Sequence, residues 1–331
     1  MQKTFYFKKN PPSIINTSAV VGPKESIGPL GKYFKHSIYD DTFGEKTYEK
    51  AECKMQSYVI NRLLTENNLK TEDIDVLLSG DLLNQIISAS FAVREYDIPF
   101  LGVYNACSTL TESLTIASIM VDSRLINKAI CLTSSHFSTA ERQYRYPLEL
   151  GSTRPPQSQW TVTGAGGFLL GKTDKKLPKI TMATVGKVVD FGVKDANNMG
   201  CAMAPAAVDT LLAHFNNTNT REKDYDLIIT GDLGILGSRV FCDLMKQKGY
   251  DLTDKHVDCG GIIYEKNEKE FQGGSGAGCS AVVFSDYFYP KLIKKEYKKI
   301  IFMATGALLS TLSSQQGESI PSIAHLIVAE A

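Results

Sequence analysis

Two similar segments, 151 residues apart, constrain the fold of this chain more than any other feature. The segment DVLLSGDLL, which contains Asp81, reappears as DLIITGDLG, which contains Asp232. A second pair follows at an offset of 170, namely KAICLTSS from Lys128 and KKIIFMAT from Lys298. Repetition of whole strand-and-turn units predicts a duplicated fold with a pseudo-two-fold core.

The hydrophobic pattern agrees with a duplicated α/β fold. Short apolar runs alternate with longer amphipathic runs, as strands and helices do in such folds. We expect an N-terminal half at residues 1–178 and a C-terminal half at residues 179–331. The predicted strands are 13–20, 76–79, 129–134, 162–170, 227–230, 300–304 and 325–328. The predicted helices are 45–65, 85–95, 109–121, 204–215, 238–248 and one that begins near 276.

Charge and cysteine content exclude several classes of protein. The chain has 36 Lys and Arg against 36 Asp and Glu, so no global positive field attracts nucleic acid. Its seven cysteines form no CxxC pair and are odd in number, which argues against a zinc site and a disulfide framework. We find no signal peptide, and no run reaches the roughly 20 apolar residues of a membrane span. We therefore expect a soluble or peripheral protein.

Cys107 lies where a predicted strand turns into a predicted helix, in the sequence LGVYNACSTLTESL. Unpaired backbone N–H groups at a helix N-terminus favour a thiolate and bind a carbonyl oxygen, as acyl transfer requires. A buried structural cysteine is the alternative. At the offset of 170, Cys107 corresponds to Ala277 in the Gly-rich segment GGSGAGCSAVVF. The duplicated fold is therefore predicted to carry a single nucleophile position.

Three segments resemble the thiolase-like condensing enzymes, namely NACSTLTESL, TVTGAGGFLLG and GGSGAGCSAVVF. Within that superfamily, the stretch LTSSHFSTAERQYRYPLELGSTRPPQSQWTVTGAG, from Leu132 to Gly166, is similar to the stage V sporulation protein AD family of spore-forming bacteria. The resemblance implies a five-layered αβαβα sandwich of two pseudo-symmetric halves, and a homodimer. It also implies a pocket in which Cys107 meets a His and an Asn that polarise a thioester carbonyl.

The chain departs from the condensing-enzyme pattern at both partner positions. Asp232 stands where the His would follow its strand, and Gly274, followed by Ser275, stands where the Asn would be. A missing oxyanion donor costs roughly 10² to 10³ in rate. A carboxylate beside Cys107 would also disfavour the thiolate. We therefore expect a binding pocket at these four residues, not a catalytic site.

The five histidines offer little replacement for the missing base. His36, His214 and His256 lie in segments predicted to be at the surface, and His325 lies in the last predicted strand. Only His136 lies in a loop predicted to line the pocket.

That loop, residues 135–160, is rich in basic and aromatic side chains. They are His136, Arg142, Arg145, Arg154, Phe137, Tyr144, Tyr146 and Trp160. Arg forks bind carboxylates and aromatic faces bind flat rings, so the composition suits a planar aromatic acid. We expect His136, Arg142 and Arg154 to contact the ligand. A solvated dimer loop, with Arg side chains paired to Glu141 and Glu149, is the alternative.

The family resemblance supplies a ligand of that kind. It implies binding of dipicolinic acid (pyridine-2,6-dicarboxylate), as its calcium chelate, and a role in its uptake into the developing spore. Asp232 then becomes a possible calcium contact, and no other metal or cofactor is expected. The resemblance further implies the other stage V sporulation A membrane proteins as partners and a peripheral position on the spore inner membrane.

Two other functions stay open on the sequence. Cys107 could serve an active condensing enzyme or acyltransferase with an unrecognised base, or the protein could be a scaffold with a vestigial pocket. The basic run KLIKKEYKK, at 291–299, could contact an anionic membrane surface or form a solvated helix end.

Overall fold

The computed structural model describes residues 2–144, 154–265 and 272–331. The strands in these ranges are β1 (Thr4–Tyr6), β2 (Ser13–Val21), β3 (Val76–Gly80), β4 (Phe100–Gly102), β5 (Lys128–Ser135), β6 (Trp160–Thr161), β7 (Gly164–Gly171), β8 (Lys179–Thr184), β9 (Leu227–Thr230), β10 (His256–Asp258), β11 (Gly274–Ser275), β12 (Lys299–Ala307) and β13 (Ser322–Glu330).

The helices surround and separate these strands. They are α1 (Pro23–Ser26), α2 (Tyr48–Glu66), α3 (Ile87–Val93), α4 (Thr109–Asp122), α5 (Phe137–Tyr144), α6 (Met199–Thr218), α7 (Gly234–Gln247), α8 (Cys259–Ile263), α9 (Ala277–Val283), α10 (Tyr289–Ile293) and α11 (Thr311–Gln315). A π-helical turn, Phe284–Phe288, connects α9 to α10. In the described ranges, none of the helices has the length and apolar character that crossing a bilayer requires.

The large sheet consists of two equivalent half-sheets. The first has the order β4-β3-β5-β7-β2, and the second has the order β10-β9-β12-β13-β8. In both, the first two pairings are parallel and the next two are antiparallel. One residue pair, Ser13 with Lys179, joins the half-sheets, and β1 pairs with β8. The division of the chain at 178/179 stays a prediction, which this matching order supports.

Three apolar cores separate five layers. The first core lies between α2 and the outer face of the first half-sheet. The central core places α4 and α9 between the half-sheets, and the third lies between α6, α7 and the second half-sheet. Both faces of each half-sheet are therefore buried, as along β3, where Leu77 faces the first core and Leu78 the central one. This is the αβαβα order expected from the sequence.

The structure corrects two details of the sequence-based expectations. The offset of 170 is one residue short for the strands, because Asp75 binds the backbone N–H of Lys128 and Asp226 binds that of Lys299 in the same way. His214 was predicted at the surface and is fully buried. It faces the sheet from α6, where its ring nitrogens bond the hydroxyls of Thr184 and Tyr225.

Close packing of α9 on β7 leads to a prediction about stability. A Cβ at Gly166 would lie 2.5 Å from the backbone carbon of Ala281. We expect Gly166→Ala to lower the free energy of unfolding by about 1–3 kcal/mol, because α9 must move outward. Urea denaturation measures this. The matched control is Gly261→Ala, whose Cβ would meet only Asp258 at ordinary contact distance. An equal loss in both variants would contradict the packing argument.

Candidate functional site

The turn before α4 holds Cys107 in a fixed elbow. Ala106 has a left-handed backbone with φ of 50°, a conformation that is uncommon for residues other than glycine. The Thr109 hydroxyl donates to the Ala106 carbonyl at 2.6 Å and accepts from the Asn105 N–H at 3.1 Å. The second half supports the same turn, because the Ser108 hydroxyl donates to the Ala304 carbonyl of β12 at 2.8 Å. Cys107 is thereby directed toward the second half.

Asp232 follows β9 and meets Cys107 at the floor of the site. Parallel strands end at the same edge of a sheet, so β3, β5, β9 and β12 all point toward this place. Asp232 is buried, and the Cys107 thiol donates a hydrogen bond to its carboxylate. The structure therefore brings these two residues together, as the resemblance to condensing enzymes implied.

Three further donors hold the Asp232 carboxylate. The Thr305 hydroxyl donates to Oδ1 at 2.8 Å, whereas the Gly276 N–H and the Ser275 hydroxyl donate to Oδ2 at 3.0 Å and 3.3 Å. Burial raises the pKa of Asp232 to about 6, although the hydrogen bonds from Cys107, Gly276, Thr305 and Ser275 each lower it. Asp232 is therefore largely ionised at neutral pH, with both oxygens already in use.

A second buried acid, Asp258, fixes the turn that carries Asp232. It accepts from the Thr230 hydroxyl and from the backbone N–H groups of Leu233 and Gly234, and it caps α8 through the N–H of Gly261. Burial raises its pKa to about 7. Sequence analysis missed this residue. The available signal was an acid directly before CGGII, which is typical of a helix N-cap.

Gly274 lies behind the wall of the site. A Cβ there would come within 2.6 Å of Ile263 and 3.1 Å of Val162. Its carbonyl accepts from the Gln159 amide, which also donates to the Asp232 carbonyl. A larger residue at 274 would collide with this wall, so the backbone here has no room for the Asn of the condensing-enzyme pattern.

A small apolar cavity, which we call the elbow cavity, opens above the Cys107 thiol. Its volume is about 30 Å³, room for about two water molecules. Among the described residues, its lining includes no Lys, Arg, His, Asp or Glu side chain. The lining residues are Leu82, Tyr104, Ala106, Cys107, Ala140, Tyr144, Thr161, Met199, Ser275, Gly276, Ala307 and Leu309. The site thus brings Cys107 and Ser275 together over Asp232.

Two tyrosines form one wall of this cavity. The hydroxyls of Tyr104 and Tyr144 are 3.1 Å apart, and the Tyr144 hydroxyl donates to the Leu82 carbonyl. The same two rings and Leu309 also line an outer cavity of about 400 Å³. Movement of these three side chains would join the two spaces.

The predicted ligand contacts from the 135–160 loop lie elsewhere. His136 is buried, donates from Nε2 to the Asp41 carbonyl at 2.7 Å and accepts at Nδ1 from the Ser138 N–H. Exposed Arg142 pairs with Glu49 at 3.1 Å. Neither residue lines the elbow cavity.

Arg154 contacts an acid and two aromatic rings, and it does not line the elbow cavity. It pairs with Glu141 at 3.0 Å and covers the stacked rings of Phe137 and Trp160. The Arg154–Glu141 pair is one of the pairs expected if this segment is a solvated dimer loop. Arg145, Tyr146 and Glu149 lie outside the described residues.

Comparison with known proteins gives a consistent result. The family model for stage V sporulation protein AD matches residues 1–330. The stage V sporulation protein AD of Bacillus subtilis (strain 168) is 44% identical over 329 residues, which cover 99% of this chain and 97% of that protein. The chain belongs to the stage V sporulation protein AD family. It is therefore a sporulation protein.

Solved structures extend the likeness at the level of the fold. A single-residue variant of Xanthomonas campestris OleA, bound with cerulenin, superposes with a TM-score of 0.64 at 14% identity and covers 99% of this chain and 98% of its own. Another cerulenin-bound OleA structure gives a TM-score of 0.63 at 15% identity, with 98% and 100% covered. The thiolase-like fold expected from the sequence is confirmed. In this member of the stage V sporulation protein AD family, that fold carries a cysteine whose neighbour is an acid.

Proposed function

We propose that this protein is a non-catalytic binder that holds dipicolinic acid in the elbow cavity for uptake into the developing spore. The hydrogen bond from the Cys107 thiol to Asp232 carries the first part of this proposal. A base that activated the thiol would have to remove its proton, whereas an ionised carboxylate next to sulfur opposes thiolate formation.

The character of the cavity supports the choice of ligand form. A free pyridine dicarboxylate carries two negative charges, and burying them without a cation is costly. The calcium chelate is neutral overall, which suits an apolar lining between tyrosine rings. The cavity is smaller than this ligand, so binding requires Tyr104, Tyr144 and Leu309 to move toward the outer cavity.

A calcium contact at Asp232 stays a prediction. Oδ2 already accepts from the Gly276 N–H and the Ser275 hydroxyl, and Oδ1 accepts from Thr305. Coordination of calcium would therefore require some of these donors to be exchanged for the metal.

The partners and location belong to the same proposal. We propose that the protein acts with the other stage V sporulation A membrane proteins while peripheral on the spore inner membrane. We also propose a homodimer. The outer edge of β4 has no partner strand within the described part of one chain, and Phe91 and Leu101 beside it are about two-fifths exposed.

Filling the cavity tests the proposed site. Ala307 lines it at the end of β12, and we expect Ala307→Phe to weaken binding of calcium dipicolinate at least 10-fold, because the ring occupies the ligand's space. Isothermal titration calorimetry, with and without calcium, measures this. The control is Ala196→Phe, at a half-buried position outside the lining. Unchanged affinity in Ala307→Phe would reject this site, and absence of binding by the wild type would favour the scaffold alternative.

A further inference from the structure

The end of the sheet opposite the cavity carries a concentrated positive charge. Strand β12 connects the two ends, because it begins at Lys299 and ends at Ala307 in the cavity lining. The turns at the far end are residues 8–10, 122–128, 171–179 and 291–299, which we call the basic face. These turns contain thirteen Lys and Arg against three Asp and Glu, whereas the whole chain is neutral.

The four turns form one continuous surface. The Arg124 guanidinium donates to the Asn10 side chain at 3.2 Å. Thr173 donates to the Pro11 carbonyl at 2.8 Å. On the other side, Lys299 pairs with Glu330, which is the residue opposite Lys179 in the sheet.

Mixed charges mark the limits of the basic face. The neighbouring turns before β3 and β9, residues 70–75 and 221–226, each contain more acids than bases. The positive charge is therefore a property of the centre of this end of the sheet.

Two equivalent turns of the basic face also expose aliphatic side chains. Arg124 follows α4 and Lys295 follows α10, and both have left-handed backbones, with φ of 62° and 59°. Beside them, Leu125 is 75% exposed and Ile293 is 43% exposed. Aliphatic side chains among lysines are typical of surfaces that rest on a lipid bilayer, where the apolar groups enter the headgroup boundary.

We propose that the basic face binds the surface of an anionic lipid membrane. Twelve of its thirteen bases are lysines, which act as flexible point charges and suit a diffuse layer of headgroups better than a defined carboxylate site. Each Lys or Arg close to an anionic leaflet strengthens binding by roughly fivefold. An acidic protein is the other occupant of this charge, and the test below separates the two.

This binding would orient the protein. Strand β12 spans nine residues, so the cavity would open about 26 Å from the lipid surface, on the aqueous side. The inference rests on the charge distribution and the exposed aliphatic side chains of the basic face. It assigns a surface to the peripheral membrane position proposed above and does not depend on what the cavity binds.

Vesicle sedimentation of the intact chain tests this inference. We expect the wild type to bind vesicles with 30 mol% phosphatidylglycerol in phosphatidylcholine at about 0.1 M salt, and to be released at about 1 M salt, where charges are screened within roughly 3 Å. Vesicles of phosphatidylcholine alone should bind it weakly. Replacing Lys172, Lys175, Lys176 and Lys294 by Gln should reduce affinity for the anionic vesicles by roughly 600-fold.

The matched control removes the same charge from the cavity end of the molecule. It replaces four exposed lysines outside the basic face, Lys46, Lys50, Lys187 and Lys194, by Gln, and should bind as the wild type does. Thermal unfolding should show both variants folded. Failure of the wild type to bind anionic vesicles, or an equal loss in both variants, would overturn the proposal, and the first of these results would assign the charge to an acidic protein.

Discussion

Replacement of Asp232 by Asn is expected to speed the modification of Cys107 by a thiol reagent by roughly 100-fold at pH 7.5. An ionised carboxylate about 4 Å from a forming thiolate opposes it by about 4 kcal/mol at an effective dielectric constant of about 20. Three other donors also bind the Asp232 carboxylate and weaken its effect on the thiolate. We therefore expect a change of roughly 100-fold, which is smaller than about 4 kcal/mol would give. Because burial raises the pKa of Asp232 to about 6, the difference between the two proteins should shrink below pH 6.

The labelling experiment has a matched control and a clear contrary result. Asp286 is another buried carboxyl whose pKa burial raises to about 6, but it pairs with the backbone of Lys35 instead of a thiol. Asp286→Asn should label as the wild type does, which separates the charge effect from general loosening. Cys107→Ser gives the background from the other cysteines. Rapid labelling of the wild type, together with acylation by an acyl-CoA, would favour the condensing-enzyme alternative.

The contribution of the buried carboxyls to stability is expected to fall as pH rises from about 5 to about 8. Burial raises the pKa of Glu25 and of Asp258 to about 7 and that of Asp232 to about 6, so the folded chain holds protons that the unfolded chain has released. Such a group stabilises the folded state fully below its unfolded pKa, near 4, and loses this contribution as pH rises to its folded pKa. Above its folded pKa, each of these carboxyls is charged while it is still buried, which lowers the free energy of unfolding.

Glu25 gives the sharpest test of this pH dependence. It is fully buried between the Tyr264 hydroxyl and the Thr163 N–H. A pKa raised from 4.5 to about 7 corresponds to about 3 kcal/mol between pH 4 and pH 8. Urea unfolding of Glu25→Gln at several pH values should show a curve flatter by up to that amount. The control, Glu318→Gln, alters an exposed side chain and should keep the wild-type slope. An identical pH dependence in Glu25→Gln and the wild type would contradict the burial argument.

Much of the fold could be predicted because both halves repeat one pattern. The seven predicted strands are all present, and the helix predicted at 109–121 is observed as α4. Six strands of the described residues were missed, namely β1, β4, β6, β8, β10 and β11. All of them except β8 have only two or three residues, and a run that short carries too little alternation to stand out from a loop. Helix α6 begins five residues earlier than predicted, at Met199.

The structure places Cys107 and Asp232 together, as expected, but it pairs two arginines of the 135–160 loop with acids outside the cavity. The resemblance to condensing enzymes put Asp232 at the position of the His that meets the elbow cysteine, so the approach of the two residues followed from that resemblance. The 135–160 loop, in contrast, contains many basic residues, but Arg154 is held by Glu141 and Arg142 by Glu49. Composition states which side chains a loop contains, and it does not state which neighbours neutralise them.

The sequence by itself determined the duplicated α/β architecture, the family and the cysteine elbow, because periodicity and motif order are properties of the chain. Only the tertiary structure decided that the Cys107 thiol donates to Asp232, that Gly274 lies behind a packed wall, and that scattered lysines form one basic face. The contacts of Cys107 with Asp232, of Gly274 with Val162 and of Arg124 with Asn10 each join residues more than 100 positions apart. Their distances depend on how the two half-sheets pack around α4 and α9, which no local pattern encodes.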